Sequence, residues 1–219
     1  MDEITDIKFD GLRTKLRKIH CKLEKNDQIR ADYLTDSLYY KGTTDSIGLF
    51  YKSYYEEKLE EFENELDLVF IMSDIDKFGQ YNKDYGHPQG DLALKRIAKT
   101  FKNSIEKQLI SPENSFVTRY GGEEFCAFIA NWRRGVDDLD AIVETVRQNI
   151  ESLEIECLKG TENKNDGYKH RTITIAGSIR KKYETIEKLV NETDKFLTLK
   201  DKFGRNRSYL RERDRHLLI

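Results

Sequence analysis

No stretch of this 219-residue chain is apolar for long enough to cross a bilayer: the longest strongly apolar run, Leu68–Met72, falls far short of the roughly 20 residues a spanning helix needs. The acidic opening MDEITD lacks the basic residues that begin a secretory signal. A cytoplasmic protein with no membrane partner is expected. Cysteine is scarce: Cys21, Cys126 and Cys157 are widely separated, odd in number and form no C-x-x-C pair. That pattern argues against a disulfide framework and against a thiolate zinc site, so reduced thiols are expected. Histidine is scarce too, and His20, His87, His170 and His216 show neither H-x-x-H nor H-E-x-x-H spacing. Any metal would be held mainly by oxygen. Nor is there an excess of either charge, since 38 Lys and Arg face 40 Asp and Glu for a net −2. A protein that coats nucleic acid is not expected. One basic run, residues 200–215, holds seven Lys and Arg against three acids and reads as a solvated helix face.

What the chain does have is enough apolar and aromatic material for a core. Hydrophobic residues are 37% and charged residues 36%, and 12 Tyr and 11 Phe supply bulk. The length fits one domain plus an extension. Phe9, Leu12, Leu16, Ile19 and Leu23 fall at helical spacing, one apolar stripe that either packs on its own domain or dimerises as a short parallel coiled coil. Residues 1–40 are assigned to this helical extension and 41–219 to the main domain, with Tyr33–Ser46 as the connection. A polar helix is expected at about 49–64. Leu66–Ser73 is nearly continuous in apolar residues and reads as a strand buried on both faces, ending at Asp74.

Leu94, Ile97, Ala98, Phe101 and Ile105 predict a helix within about 92–107, with Asp91 as one candidate N-cap. Phe116–Arg119 and Phe125–Ala130 flank a Gly-Gly turn and read as a hairpin. Leu139 to Leu153 gives another helix, Arg171–Ile179 a strand, and Ile186 to Leu197 a last helix. The fold class is α/β, an α+β sandwich in which helices cover a mixed central sheet.

Asp74 at a strand end and Glu123-Glu124 on a hairpin turn are the candidates for chemistry. Carboxylates brought together repel and require cations, and hard oxygen ligands of this kind suit Mg²⁺ alongside substrate phosphates. Read by spacing alone, Asp74, Asp76, Glu123 and Glu124 are first of all ordinary solvated charges at element ends.

Arg119-Tyr120-Gly121-Gly122-Glu123-Glu124-Phe125 resembles the signature of GGDEF domains, the diguanylate cyclases. The resemblance extends through Asp74-Ile75-Asp76-Lys77-Phe78, Asn82, Gly86-His87, Gly90-Asp91 and Leu94, and resumes at Asp194 and Gly204-Arg205-Asn206, covering about residues 43–210. It implies a polymerase-palm-like fold that condenses two GTP into cyclic di-GMP with loss of two pyrophosphates. By the same resemblance Asp74, Glu123 and Glu124 are catalytic. Asp74, the Ile75 carbonyl, Glu123 and Glu124 would hold two Mg²⁺ or Mn²⁺ ions per active site. Gly121 and Gly122 would let the triphosphate approach the turn. Asn82, Asp91 and His87, with Phe78, would bind the guanine side, where a carboxylate accepts from an edge that adenine lacks. Because one domain holds one GTP, ring closure implies at least a transient homodimer, which would give the N-terminal stripe a purpose.

The departures from the family lie on the phosphate side. Gly79 stands where the family has Lys, and Lys200-Asp201 where it has Ala-Lys. A carboxylate facing a triphosphate is repulsive, so Lys200 or Lys202 is expected to reach the phosphates with Arg205. The strand motif reads Thr174-Ile175-Ala176-Gly177-Ser178, and an early turn is shortened to Asp45–Phe50. Pro112 and Ser115 replace the Arg and Asp of the family's R-x-x-D inhibitory site. Two alternatives stay open: a related palm-type cyclase or polymerase using another nucleotide, and a catalytically silent GTP-binding module. No sensory domain is expected within the first 40 residues, so control would come through dimerisation, expression or a separate protein.

Overall fold

Alternation along Leu68–Ile75 organises the molecule. Val69, Ile71 and Ile75 belong to one buried cluster, and Leu68, Phe70 and Met72 to a second on the opposite face. A strand whose successive side chains point to opposite faces needs cover on both, and this one is buried almost throughout. The computed structural model describes residues 29–31, 38–40, 68–112, 115–158 and 170–218. The apolar stripe at Phe9–Leu23, the polar helix at 49–64 and the shortened turn at Asp45–Phe50 lie outside the described residues.

The strands are β1 (Ile29–Ala31), β2 (Leu38–Tyr40), β3 (Val69–Ile75), β4 (Ser115–Arg119), β5 (Glu124–Ile129), β6 (Ile173–Ile179) and β7 (Ser208–Leu210). They form one sheet in the order β1-β2-β4-β5-β3-β6-β7. The sheet is mixed, as expected: β3 runs antiparallel to β5 and β6, whereas β2–β4 and β6–β7 are parallel. The helices are α1 (Phe78–Tyr85), α2 (His87–Glu106), α3 (Val136–Glu151), α4 (Ile186–Leu197) and two single turns, α5 (Lys200–Phe203) and α6 (Arg211–Asp214). Apolar residues of α1, α2 and α3 build the first cluster with Val69, Ile71 and Ile75, and those of α4 build the second with Phe70 and Met72. Gly177 lets α3 sit close on β6, because a Cβ there would lie 3.0 Å from Leu210 and 3.4 Å from Leu139 and Val143.

Several boundaries differ from the sequence reading. Strand β3 continues past Asp74 to Ile75, and the residues after it form α1, whose only buried side chains, Phe78 and Tyr81, leave no apolar stripe to detect. Helix α2 begins at His87, with Pro88 in its first turn where a missing N–H costs nothing. Asp91 therefore lies inside the helix and is not its N-cap, which is Gly86 at φ 84°. Strand β2 falls within the stretch read as a connection, and β1 within the assigned helical extension. The basic run 200–215 is not one solvated face: it divides into α5, β7 and α6, and Arg211 is buried against Glu184, with Nη1 and Oε1 2.7 Å apart.

Candidate active site

Asp74 and Glu124 are direct cross-strand partners in the β3–β5 ladder. Period two along β3 puts Asp74 on the face of Phe70 and Met72, and period two along β5 puts Glu124 on the face of Cys126 and Phe128. Both carboxylates thus emerge on the side covered by α4. Glu123 sits on the turn before β5, where its carbonyl accepts from the Ile75 N–H at 3.2 Å. Like charges directly opposite across a ladder are destabilising, and the carboxyl groups register this. Burial, then the Asp74 charge, pushes Glu123 above the usual carboxylate range. Glu124 is pushed up by burial, then by Asp74, Asp194 and Glu123. Lys200 opposes both shifts. Its Nζ lies 2.7 Å from Asp74 Oδ1, and both side chains are only 17% exposed.

The turn is held from outside. Arg119 donates through Nε to the carbonyls of Gly121 and Gly122, both at 3.1 Å, and through Nη2 to that of Gly122 at 2.6 Å. The Glu124 carbonyl receives the N–H groups of Tyr120 and Gly121 at 2.8 and 3.4 Å. A Cβ at Gly121 would stand 2.4 Å from Glu124 Oε2, so the close approach that requires glycine here is made by the protein's own carboxylate. At Gly122 a Cβ would meet no atom within 4 Å.

For a divalent cation this donor set is chemically suitable: hard oxygens, mutually repelling, partly withdrawn from water. Among the described residues no three carboxylate, imidazole or thiol side chains close into a ready-made metal cage, and Asp74 is turned to Lys200.

Residues 49–207 match the family described as "Diguanylate cyclase, GGDEF domain". The chain belongs to the GGDEF family. Among its relatives are diguanylate cyclase A of Treponema denticola, 32% identical over 142 residues, and diguanylate cyclase VdcA of Vibrio cholerae, 32% identical over 139. These alignments take in 64% and 63% of this chain but 34% and 37% of the relatives, so the chain spans about a third of their length. In fold it resembles the coiled coil and GGDEF domain of DgcB from Caulobacter crescentus, solved in complex with c-di-GMP, with a TM-score of 0.68 at 17% identity, covering 94% of this chain and 97% of that one.

Within the GGDEF domain the other sequence candidates are distributed unevenly. Asn82 on α1 and Gly90 on α2 fit together tightly: a Cβ at Gly90 would fall 1.8 Å from Asn82 Oδ1, and no hydrogen bond reaches that buried oxygen. Asp91, next along α2, is exposed, as is His87 at the helix start. Phe78 is a core residue, 3% exposed and stacked on Tyr81; it supports α1 and presents no surface. On the far side, Lys200, Lys202 and Arg205 each contact a different group of this chain. Lys200 turns to Asp74, Lys202 lies over the Phe203 ring, and Arg205 pairs with Asp201 at 3.0 Å.

Three residues with clear work were not assigned any role from sequence. Arg119 and Asp194 fall within the matched motifs, and that register was the available signal. Asp76 looks like a second metal carboxylate, yet it is 5% exposed and both of its oxygens are engaged as acceptors. It takes the hydroxyls of Thr172 and Thr174 at 2.7 and 2.8 Å and the Asn206 N–H at 2.9 Å.

Proposed function

We propose that this GGDEF domain condenses two molecules of GTP into cyclic di-GMP, releasing two pyrophosphates, and works as a homodimer at least transiently. The observation that carries the proposal is the convergence of Asp74, Glu123 and Glu124 at the joined ends of β3 and β5, beside a turn whose glycines and signature are intact. Asp74, Glu123 and the Ile75 carbonyl would hold two divalent ions, Mg²⁺ or Mn²⁺. When bound, they supply Lewis acidity and charge neutralisation at the α-phosphate and the attacking 3′-oxygen. Glu124, with its raised carboxyl, ligates or accepts the hydroxyl proton. Arg119 fixes the turn against which the triphosphate lies, and acts on position without touching the reacting atoms.

Guanine is selected on the other side of the site. Asn82 Oδ1 is a buried acceptor without a hydrogen-bond partner, and the exposed Asp91 carboxylate, one residue beyond the Gly90 that packs on it, suits the N–H edge of guanine. A base without that edge would leave these acceptors unpaired, the kind of mismatch that discriminates most strongly. Each domain offers one such pocket, so the two 3′-hydroxyls reach each other's α-phosphates only across two facing copies.

A specific observation favours a second reading, a silent GTP-binding module: Lys200 and Arg205 are both engaged by carboxylates of this chain. Product identification separates the two. The chain is incubated with Mg²⁺ and GTP, ATP or their mixture, and products are identified by liquid chromatography and mass spectrometry, with Glu123→Ala as control. Cyclic di-GMP from GTP alone, lost in the variant, is the expected outcome. Mixed, adenine or linear products would redirect the substrate assignment, and no product from a dimeric sample would favour the silent module.

A further inference from the structure

We propose that Lys200 is a resident counter-cation of the carboxylate cluster, which a divalent ion displaces from Asp74 in order to bind. The inference rests on the reading of Asp74, Glu123 and Glu124 as the metal site. Three features support it. First, Nζ of Lys200 is 2.7 Å from Asp74 Oδ1 with both side chains 17% exposed, a pair partly withdrawn from solvent and poorly screened. Second, the pair answers a need of the metal-free protein, because Asp74 and Glu124 oppose each other in the ladder and Asp194 adds a further negative charge. A positive charge there offsets this repulsion. Third, a release of Lys200 would require no change of backbone. Its carbonyl accepts from the Gly204 N–H at 3.1 Å, and Leu199 before it is buried at 6% exposure, so the backbone is anchored and the rotatable bonds of the four-carbon stem would carry the ammonium away.

A lysine ammonium and a divalent ion compete for Asp74 because both need its oxygens and repel each other. Mg²⁺ demands oxygens at about 2.0–2.1 Å, inside the distance at which the ammonium now sits. The affinity of the site for metal is therefore lowered by the work of releasing Lys200, and the released ammonium stays tethered next to the carboxylates. Lys200 is in this sense a positioning and competing residue, not a catalytic one. It also accounts for the absence of a preformed cage around Asp74 among the described residues.

The test is Mn²⁺ titration of the full chain without nucleotide, read by the electron paramagnetic resonance signal of the free ion and by the rise in melting temperature. Wild type is compared with Lys200→Met, Lys200→Gln, Lys200→Arg and Asp74→Asn. Both neutral variants are expected to bind Mn²⁺ roughly tenfold more tightly than wild type and to gain more melting temperature per increment of metal. Lys200→Arg should behave as wild type, and Asp74→Asn should lose binding. Unchanged or weaker affinity in both neutral variants, with Asp74→Asn still abolishing binding, overturns the role of Lys200 and leaves the metal site standing. Binding that ignores Asp74→Asn, or no binding in any variant, overturns the metal site and the inference together.

Discussion

Glu124 is where the proposed chemistry and the stability of the fold pull in opposite directions. It is half-buried and faces Asp74 across the ladder with Asp194 and Glu123 nearby, so its carboxyl is held above the usual range. Between the ordinary carboxylate value and the raised one, the folded protein keeps a proton that the unfolded chain has released. The unfolding free energy therefore falls as pH rises through that window. Lys200 offsets part of this cost, and a divalent ion would offset more. Glu124→Gln is accordingly expected to stabilise the metal-free protein at pH 7 by a few tenths to about 1 kcal/mol, the range for relieving a like-charge cross-strand pair. At pH 4 the advantage should shrink towards zero. Urea denaturation with chelator at both pH values checks this, and a variant less stable than wild type at pH 7 would show that the carboxylate is not under electrostatic strain.

At the scale of elements, the site depends on a latch at its back. Asp76 joins the end of β3 to the start of β6 through Thr172 and Thr174 and to the turn after α5 through the Asn206 N–H. Asn206 adopts φ 57° and ties the same turn to α3, accepting from Arg147 at 2.7 Å and donating to Glu151 at 2.6 Å. Lys200 belongs to the short helix that this turn follows. Asp76→Ala leaves two hydroxyls and one N–H without an acceptor and is expected to destabilise the fold by about 2–4 kcal/mol. Asp76→Asn, which keeps one acceptor oxygen, should lose less; equal stability of all three proteins in urea would rule out the latch. Sequence could not separate Asp76 from Asp74, because side-chain alternation assigns them the same face of the strand. Only the threonines arriving from β6 show which carboxylate is structural. Strand β3 and helices α2, α3 and α4 were legible, since each buries a stripe or a full apolar run. Helix α1 and strands β1, β2 and β7 were not, because elements of three to eight residues are too short to carry a readable period.

For the whole molecule, the sequence exposed the family and the carboxylates that meet at the ends of β3 and β5, but not the contacts of Lys200, Asp201 and Arg205, which are chosen by where α5 lies. The matching motifs fix positions along the chain, whereas these partners are chosen in space. One expectation reaches across the molecule. At the start of β4, away from the turn of the signature, Pro112 and Ser115 occupy the positions of the family's inhibitory Arg and Asp, and Ser115 Oγ donates to the Pro112 carbonyl at 2.6 Å. Neither residue carries a charge, and a cyclic dinucleotide with two phosphates is recognised chiefly by bidentate, charge-assisted contacts. These two positions therefore supply no charged pair for a second product site, and if the chain makes cyclic di-GMP as proposed, the product is expected to act at the proposed active site. Inhibition by added product should then be purely competitive: the apparent KM for GTP rises in proportion to product while kcat at saturating GTP stays constant. Initial-rate measurements at several product concentrations decide the point. A kcat that falls as cyclic di-GMP accumulates would mean that the molecule has a feedback site built from other residues, and Ser115→Asp together with Pro112→Arg would then leave that inhibition unchanged.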